Sequence, residues 1–188
     1  IIDPYLTGNP AAPFGPEKIP PVDLIIVSHA AFDHLGDSFY LAKRDKATLF
    51  CDIVSRQLAY AAGLAKEQVK SGGYGASPKM KEIGLRILQA KHACVALDEA
   101  GRLITGYPLA FLITTPGGLR IYHAGDTCLF GDMKLIGQLY RPHIGLIPVG
   151  AATPQHGQDL PPAEAAQAAQ WVGCEFAVPI HYYDKKDP

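Results

Sequence analysis

The sequence lacks the features that mark membrane, nucleic-acid-binding and disulfide-stabilised proteins. No apolar run reaches the length of about 18 residues that a membrane helix needs. Lys and Arg total 17 against 18 Asp and Glu, so no basic surface indicates a nucleic-acid partner. The cysteines are widely spaced and form no C-x-x-C, which excludes a zinc knuckle and a compact disulfide framework. We therefore expect reduced thiols and a cytoplasmic location.

The composition is that of an ordinary globular protein. The chain has 188 residues, of which 48% are apolar and 19% are charged, and this length suits one domain with a sizeable core. It begins at Ile1 with no Met and ends at Pro188, soon after an apolar run. We expect a single domain over residues 1–188 that is truncated at both ends.

Short β-branched runs alternate with helical patterns along the chain. Strands are predicted at 22–27, 47–51, 109–115, 119–123, 144–149 and 176–180, with one or two more within 79–96. Helices are predicted at 37–44, 55–69, 132–140 and 161–171. This order contains both hairpins and strand–helix–strand units. It predicts mixed sheets covered by helices, in an α/β or α+β arrangement.

The strongest local feature follows the predicted strand at 22–27. His29, Asp33 and His34 lie within six residues of one another, in the run Ser28-His29-Ala30-Ala31-Phe32-Asp33-His34. Imidazole and carboxylate groups together suit zinc, manganese or iron(II). From these residues alone, metal binding and a structural role stay equally open. In the structural alternative Asp33 caps a helix and His34 lies at the surface.

The same kind of residue recurs at other predicted strand ends. Asp126 lies in a Gly-containing turn after the hairpin 109–123, His92 follows the apolar run 83–90, and His181 ends the last apolar strand. Active-site groups are commonly carried by loops at one end of a sheet. The recurrence favours metal binding over the structural alternative.

Taken together, the motifs resemble those of a known family. The segment Ser28–Asp37 looks like the H-x-H-x-D-H motif of the metallo-β-lactamase superfamily. Asp3–Pro10, Tyr122–Thr127 and Pro179–Tyr182 further resemble its UlaG-like, UPF0173 metal-dependent hydrolase branch. The resemblance implies an αββα sandwich, in which two mixed sheets pack face to face with helices outside. It also implies that an N-terminal strand or hairpin is missing from this chain.

The resemblance further implies a binuclear metal site and a hydrolytic activity. Its ligands would be His29, Asp33, His34, His92, Asp126 and His181. His29 and His92 would belong to the first site, Asp33, His34 and His181 to the second, and Asp126 would bridge them. Asp33 and Asp126 would be catalytic, and a bridging hydroxide would attack a small-molecule ester, lactone or phosphodiester. Zn²⁺ is the expected ion, with Mn²⁺ or Fe²⁺ as alternatives.

One position departs from the family motif. Ala31 stands where the motif has a histidine, so the first site keeps three ligands at most. The chain could then hold one tight and one weak ion, recruit His123, His143 or His156 as a further ligand, or be a non-catalytic binding or scaffold protein. We favour one tight ion.

Other residues near the motifs have less defined roles. His123 is expected to orient Asp126, and His143 to be structural. Asp3 either supports the site or caps its loop. A substrate-binding His156 and a solvated loop histidine are equally compatible with the sequence. A homo-oligomer also stays open, whereas a membrane or nucleic-acid partner is not expected.

Overall fold

The computed structural model describes residues 1–150 and 159–182. The chain divides into two compact units. The first unit contains Ile1–Gly73 and Ala93–Pro108, and the second contains Tyr74–His92 and the chain from Leu109 onward. The polypeptide passes between the units three times, so neither unit is one continuous segment.

The described residues form short strands and helices in alternation. The strands are β1 (Leu24–Ile26), β2 (Thr48–Cys51), β3 (Val69–Ser71), β4 (Lys79–Met80), β5 (Ile83–Gln89), β6 (Val95–Leu97), β7 (Leu103–Thr105), β8 (Leu109–Thr114), β9 (Arg120–His123), β10 (Ile144–Pro148) and β11 (Phe176–Ile180). The helices are α1 (Phe32–Leu35), α2 (Ser38–Asp45), α3 (Ile53–Ala61), α4 (Met133–Tyr140) and α5 (Pro162–Val172), with a 3-10 turn at Pro16–Lys18. Within the described residues, no helix is long and apolar enough to cross a membrane.

The first unit is built on a parallel three-stranded sheet in the order β1-β2-β3. Parallel neighbours need crossover connections, which α1 and α2 supply between β1 and β2, and α3 between β2 and β3. Ile25 and Leu49 are fully buried in its core. Asp52 begins α3 by accepting hydrogen bonds from the amides of Val54 and Ser55 at 2.8 and 3.2 Å. A separate antiparallel pair, β6-β7, completes the unit.

The second unit contains a mixed six-stranded sheet in the order β11-β10-β9-β8-β5-β4. Because β8 is antiparallel to both β5 and β9, those two strands point the same way. β10 is parallel to β9 and to β11, so four strands end at one edge of the sheet. Tyr122 on β9, Met133 on α4 and Ala168 on α5 lie in one fully buried core.

Most of the predicted elements are confirmed to within two residues, including the hairpin β8-β9. The helix predicted at 55–69 is wrong in extent, because α3 ends at Ala61 and Gly63 adopts a φ of +81°. Val69 extended the helical spacing of apolar residues, but it reaches the core from β3. The six-stranded sheet is mixed as predicted, whereas the sheet of the first unit is parallel throughout its described pairings.

Candidate metal centre

In the first unit, two predicted ligands lie together at the carboxyl end of β1. His29 follows that strand and His34 lies on α1, and the two imidazole centroids are 4.3 Å apart. Both side chains are buried, at 1% and 4% exposure. Ser28 Oγ lies 3.0 Å from His29 Nδ1 and 3.2 Å from His34 Nδ1. Asp33 is half-buried in the first turn of α1.

Asp3 orders this pair of histidines. Its carboxylate accepts from the Ser28 amide at 2.7 Å and the Ser28 hydroxyl at 2.8 Å, and it lies 2.9 Å from His34 Nδ1. A carboxylate only accepts hydrogen bonds, so His34 donates to it through Nδ1. Because the Ser28 hydroxyl donates to Asp3, His29 Nδ1 donates to Ser28 Oγ. Both rings therefore carry their hydrogen on Nδ1 and present the lone pair at Nε2, and Asp3 holds this arrangement through Ser28 and His34.

In the second unit, an aspartate or histidine follows each of the four strands that point the same way. His92 comes after β5, Asp126 after β9 and His181 after β11, as predicted, and Asp159 lies between β10 and α5. Because these strands end at one edge of the sheet, residues separated by up to 89 positions in the sequence become neighbours. The sequence patterns predicted three of these residues and missed Asp159.

Backbone contacts hold the loops of His92 and Asp126 together. The Lys91 amide donates to Thr127 Oγ1 at 2.9 Å, and the Cys128 amide donates to the Lys91 carbonyl at 3.1 Å. His123 Nδ1 accepts from the Gly125 amide at 3.0 Å, in the turn that carries Asp126. His123 thus acts on the backbone of that turn.

The carboxylates and imidazoles of the second unit alternate in space. Asp126 Oδ2 lies 3.4 Å from His181 Nε2 and 3.8 Å from His92 Nε2. Asp159 lies on the other side of the same rings, with Oδ2 at 3.3 Å from His181 Nδ1 and Oδ1 at 3.9 Å from His92 Nδ1. Each imidazole therefore lies between two carboxylates.

This arrangement fits a divalent metal ion. His92 Nε2 and His181 Nε2 lie 3.8 and 3.4 Å from Asp126 Oδ2, and the Asp159 carboxylate lies within 4.8 Å of ligand atoms on His92 and Asp126. Ligand atoms bound to zinc at about 2.0–2.2 Å are separated by up to about 4.4 Å, so His92, Asp126 and His181 lie close enough to hold one ion. Mixed imidazole and carboxylate ligands are typical of zinc, manganese and iron(II).

The remaining predicted histidines divide into two groups. His143 is structural, as predicted, because its Nδ1 accepts from the Arg120 amide at 2.9 Å at the start of β10. His156 lies outside the described residues.

Ala31 precedes α1 with extended backbone angles and lines a shallow groove of about 280 Å³. No sequence pattern identified Asp159, which in the sequence is an ordinary acidic residue shortly before a predicted helix.

The buried cysteines do not supply an alternative nucleophile. Cys51 and Cys94 are free thiols buried in the first unit. Burial, reinforced by the nearby Asp52 carboxylate, raises the pKa of Cys94 to about 12. The Cys94 thiol lies 3.3 Å from Asp52 Oδ1 and donates to it. A thiol held protonated is a poor nucleophile, so these cysteines are structural.

Comparison with known proteins finds relatives along nearly the whole chain. A family model described as the β-lactamase superfamily domain matches residues 1–182. UPF0173 metal-dependent hydrolases of Methanopyrus kandleri and Archaeoglobus fulgidus are each 35% identical to the chain, over 97% and 100% of it and 75% and 79% of their own lengths. The solved structure of Igni18, a metallo hydrolase from Ignicoccus hospitalis, superposes with a TM-score of 0.80 at 29% identity, covering 96% of this chain and 73% of that one.

Proposed function

The chain belongs to the UPF0173 metal-dependent hydrolases of the β-lactamase superfamily, and we propose that it hydrolyses an ester, lactone or phosphodiester bond in a small molecule. Its fold is the metallo-β-lactamase fold, as the resemblance implied. The observation that carries the proposed activity is the set of imidazoles and carboxylates at the strand ends of the second unit. Such a set resembles the three-ligand catalytic zinc sites that leave a position for water.

The proposed metal ligands are the residues that the family resemblance assigns. They are His29, Asp33, His34, His92, Asp126 and His181. When bound, a divalent ion lowers the pKa of its coordinated water towards neutrality and polarises a carbonyl or phosphoryl oxygen. Asp33 and Asp126 are proposed to be catalytic, since their carboxylates can accept a proton or hydrogen bond from the attacking water. Zn²⁺ is the proposed ion.

We also propose that residues 1–188 belong to a single metallo-β-lactamase-like domain. The family match runs without interruption from residue 1 to residue 182, through both compact units. The chain passes between the two units three times, which favours one interleaved domain over two successive ones.

A second candidate function is a binding or scaffold role without catalysis. Ala31 favours it, because the family motif has a metal-binding histidine at this position. Turnover of an ester, lactone or phosphodiester by the unmodified protein would exclude this role, provided that Asp126→Asn abolishes the turnover.

Metal content tests both candidates. We expect elemental analysis of protein expressed with ample metal to give about one tightly bound ion per chain. Ala31→His should raise the count towards two, because the extended backbone at residue 31 accepts any side chain and the adjoining groove leaves room for an imidazole. Ala100→His, on an exposed turn between β6 and β7, is the matched control. A protein without stoichiometric metal would contradict the hydrolase, and two tight ions in the unmodified protein would contradict the asymmetry.

A further inference from the structure

Asp159 is an acidic neighbour of His92 and His181 in the second unit that the family resemblance does not assign. Its Oδ2 atom lies 3.3 Å from His181 Nδ1, and its Oδ1 atom lies 3.9 Å from His92 Nδ1. We propose that Asp159 is a positioning residue, which fixes the tautomer and orientation of both imidazoles so that each presents Nε2 to the metal. This inference rests on the proposed metal centre.

The two sides of each ring differ once a metal is bound. A metal ion takes the lone pair of an imidazole nitrogen, so a neutral ring that binds it through Nε2 carries its hydrogen on Nδ1. A carboxylate only accepts hydrogen bonds, so Asp159 is placed to accept that hydrogen and favours this tautomer. In both His92 and His181, Nε2 is the atom that faces Asp126 Oδ2, at 3.8 and 3.4 Å. The two carboxylates thus have separate tasks, since Asp126 lies on the metal side of the rings and Asp159 on the opposite side.

The surroundings of Asp159 match this role. The residue is 8% exposed, and a carboxylate at that depth requires hydrogen-bond donors or positive charge nearby. Gly150 leaves the space for it, because a Cβ atom there would lie 3.0 Å from both Asp159 Oδ2 and His181 Nδ1. His181 itself has a φ of +62°, a backbone conformation that non-glycine residues adopt mainly where the surroundings enforce it.

One residue serves two ligands from distant parts of the sequence. His92 follows β5 and His181 follows β11, and three strands separate β5 from β11 in the sheet. When a histidine ligand loses its orienting carboxylate, metal affinity typically falls by about 10- to 100-fold. Loss of Asp159 would affect both imidazoles together.

Asp159→Asn tests the proposal with a side chain of the same size. The amide keeps one oxygen acceptor but presents an NH₂ donor to the second ring, which disfavours the Nδ1–H tautomer there. We expect competition with a chromogenic zinc chelator to show a rise of about 10- to 100-fold in the zinc Kd. The ion count at saturating zinc should stay unchanged. Asp159→Glu, which restores the carboxylate, should recover part of the affinity, and Asp132→Asn, an exposed aspartate of the same unit, should leave it unchanged.

Histidine tautomers give a readout that a purely structural role would not change. In the zinc-loaded protein, long-range ¹H–¹⁵N spectra should show Nδ1–H for His92 and His181, and Asp159→Asn should shift at least one of them. An unaltered zinc Kd and unaltered tautomers would overturn the proposal. Loss of a whole ion at saturating zinc would also overturn it, because Asp159 would then be a ligand. If the unmodified protein bound no metal at all, the proposed function would fail instead.

Discussion

The two compact units hold their imidazoles in different ways. In the first unit, His29 and His34 come from one short segment, the loop after β1 and helix α1, and are almost completely buried. In the second unit, His92 and His181 come from two distant strand ends, and their side chains are 14% and 15% exposed. The first pair is therefore set by local chain geometry, whereas the second pair depends on the pairing of the whole six-stranded sheet.

Each unit also uses one aspartate on the Nδ1 side of its rings. Asp3 accepts hydrogen bonds from the backbone and hydroxyl of Ser28 in addition to facing His34. Asp159 lies beside the Nδ1 atoms of His92 and His181. Asp3 therefore supports the backbone of its loop as well as His34, whereas Asp159 faces two imidazoles from separate strand ends.

Replacing Asp126 should have the largest effect. Asp126→Asn removes the negative charge that both Nε2 atoms of the second unit face. Loss of a residue that only orients a ligand costs about 10- to 100-fold in metal affinity, so loss of this proposed ligand should lower metal affinity and turnover by more than about 100-fold. Metal content by elemental analysis and initial rates measure the two effects. Asp132→Asn is the matched control. If Asp126→Asn kept its metal, Asp126 would not be a metal ligand.

The next effect separates the two supporting aspartates. Asp3→Asn should lower the unfolding free energy by about 1.5–3 kcal/mol, because a hydrogen bond to a charged group contributes about that much to stability. It should also weaken metal binding. Asp159→Asn should weaken metal binding because it alters the group that faces Nδ1 of both His92 and His181. Chemical denaturation with and without zinc measures both quantities. An unchanged stability of the metal-free Asp3→Asn variant would contradict the role of Asp3 in the fold.

The same contrast explains how far the sequence predicts this molecule. The run Ser28–His34 is local, so its spacing identifies candidate ligands directly. The hairpin β8-β9 is local too, and its tight turn identifies it. Strand β7 escaped prediction because Leu103 is exposed and gives no apolar alternation with a buried face.

Asp159 escaped prediction for a different reason. Its approach to His181 requires the parallel pairing of β10 with β11 and the absence of a Cβ atom at Gly150. Neither requirement leaves a pattern near Asp159 itself. His92 and His181 were assigned to the site through the family resemblance, since strand ends alone do not say which of them meet. Long-range geometry is thus the part of the site that the sequence conceals.

Cysteine reactivity should show the smallest effect, and it also differs between the units. Cys128 in the second unit is exposed, whereas Cys51 and Cys94 in the first unit are buried. A thiol reagent should therefore modify about one residue quickly in the native protein, and Cys128→Ser should remove that fast phase while changing stability by less than about 0.5 kcal/mol.

The pKa of Cys94 extends this prediction to pH. Burial raises it from 9.0 to about 12, so the thiol ionises more readily in the unfolded chain. Its contribution to stability is complete below pH 9 and is lost as the pH rises towards 12. Cys94→Ala should therefore make the unfolding free energy less dependent on pH in this range, as measured by denaturant titration at several pH values. Fast modification of Cys94 in the native protein at pH 8 would instead place this thiol at an accessible surface and remove the contrast between the two units.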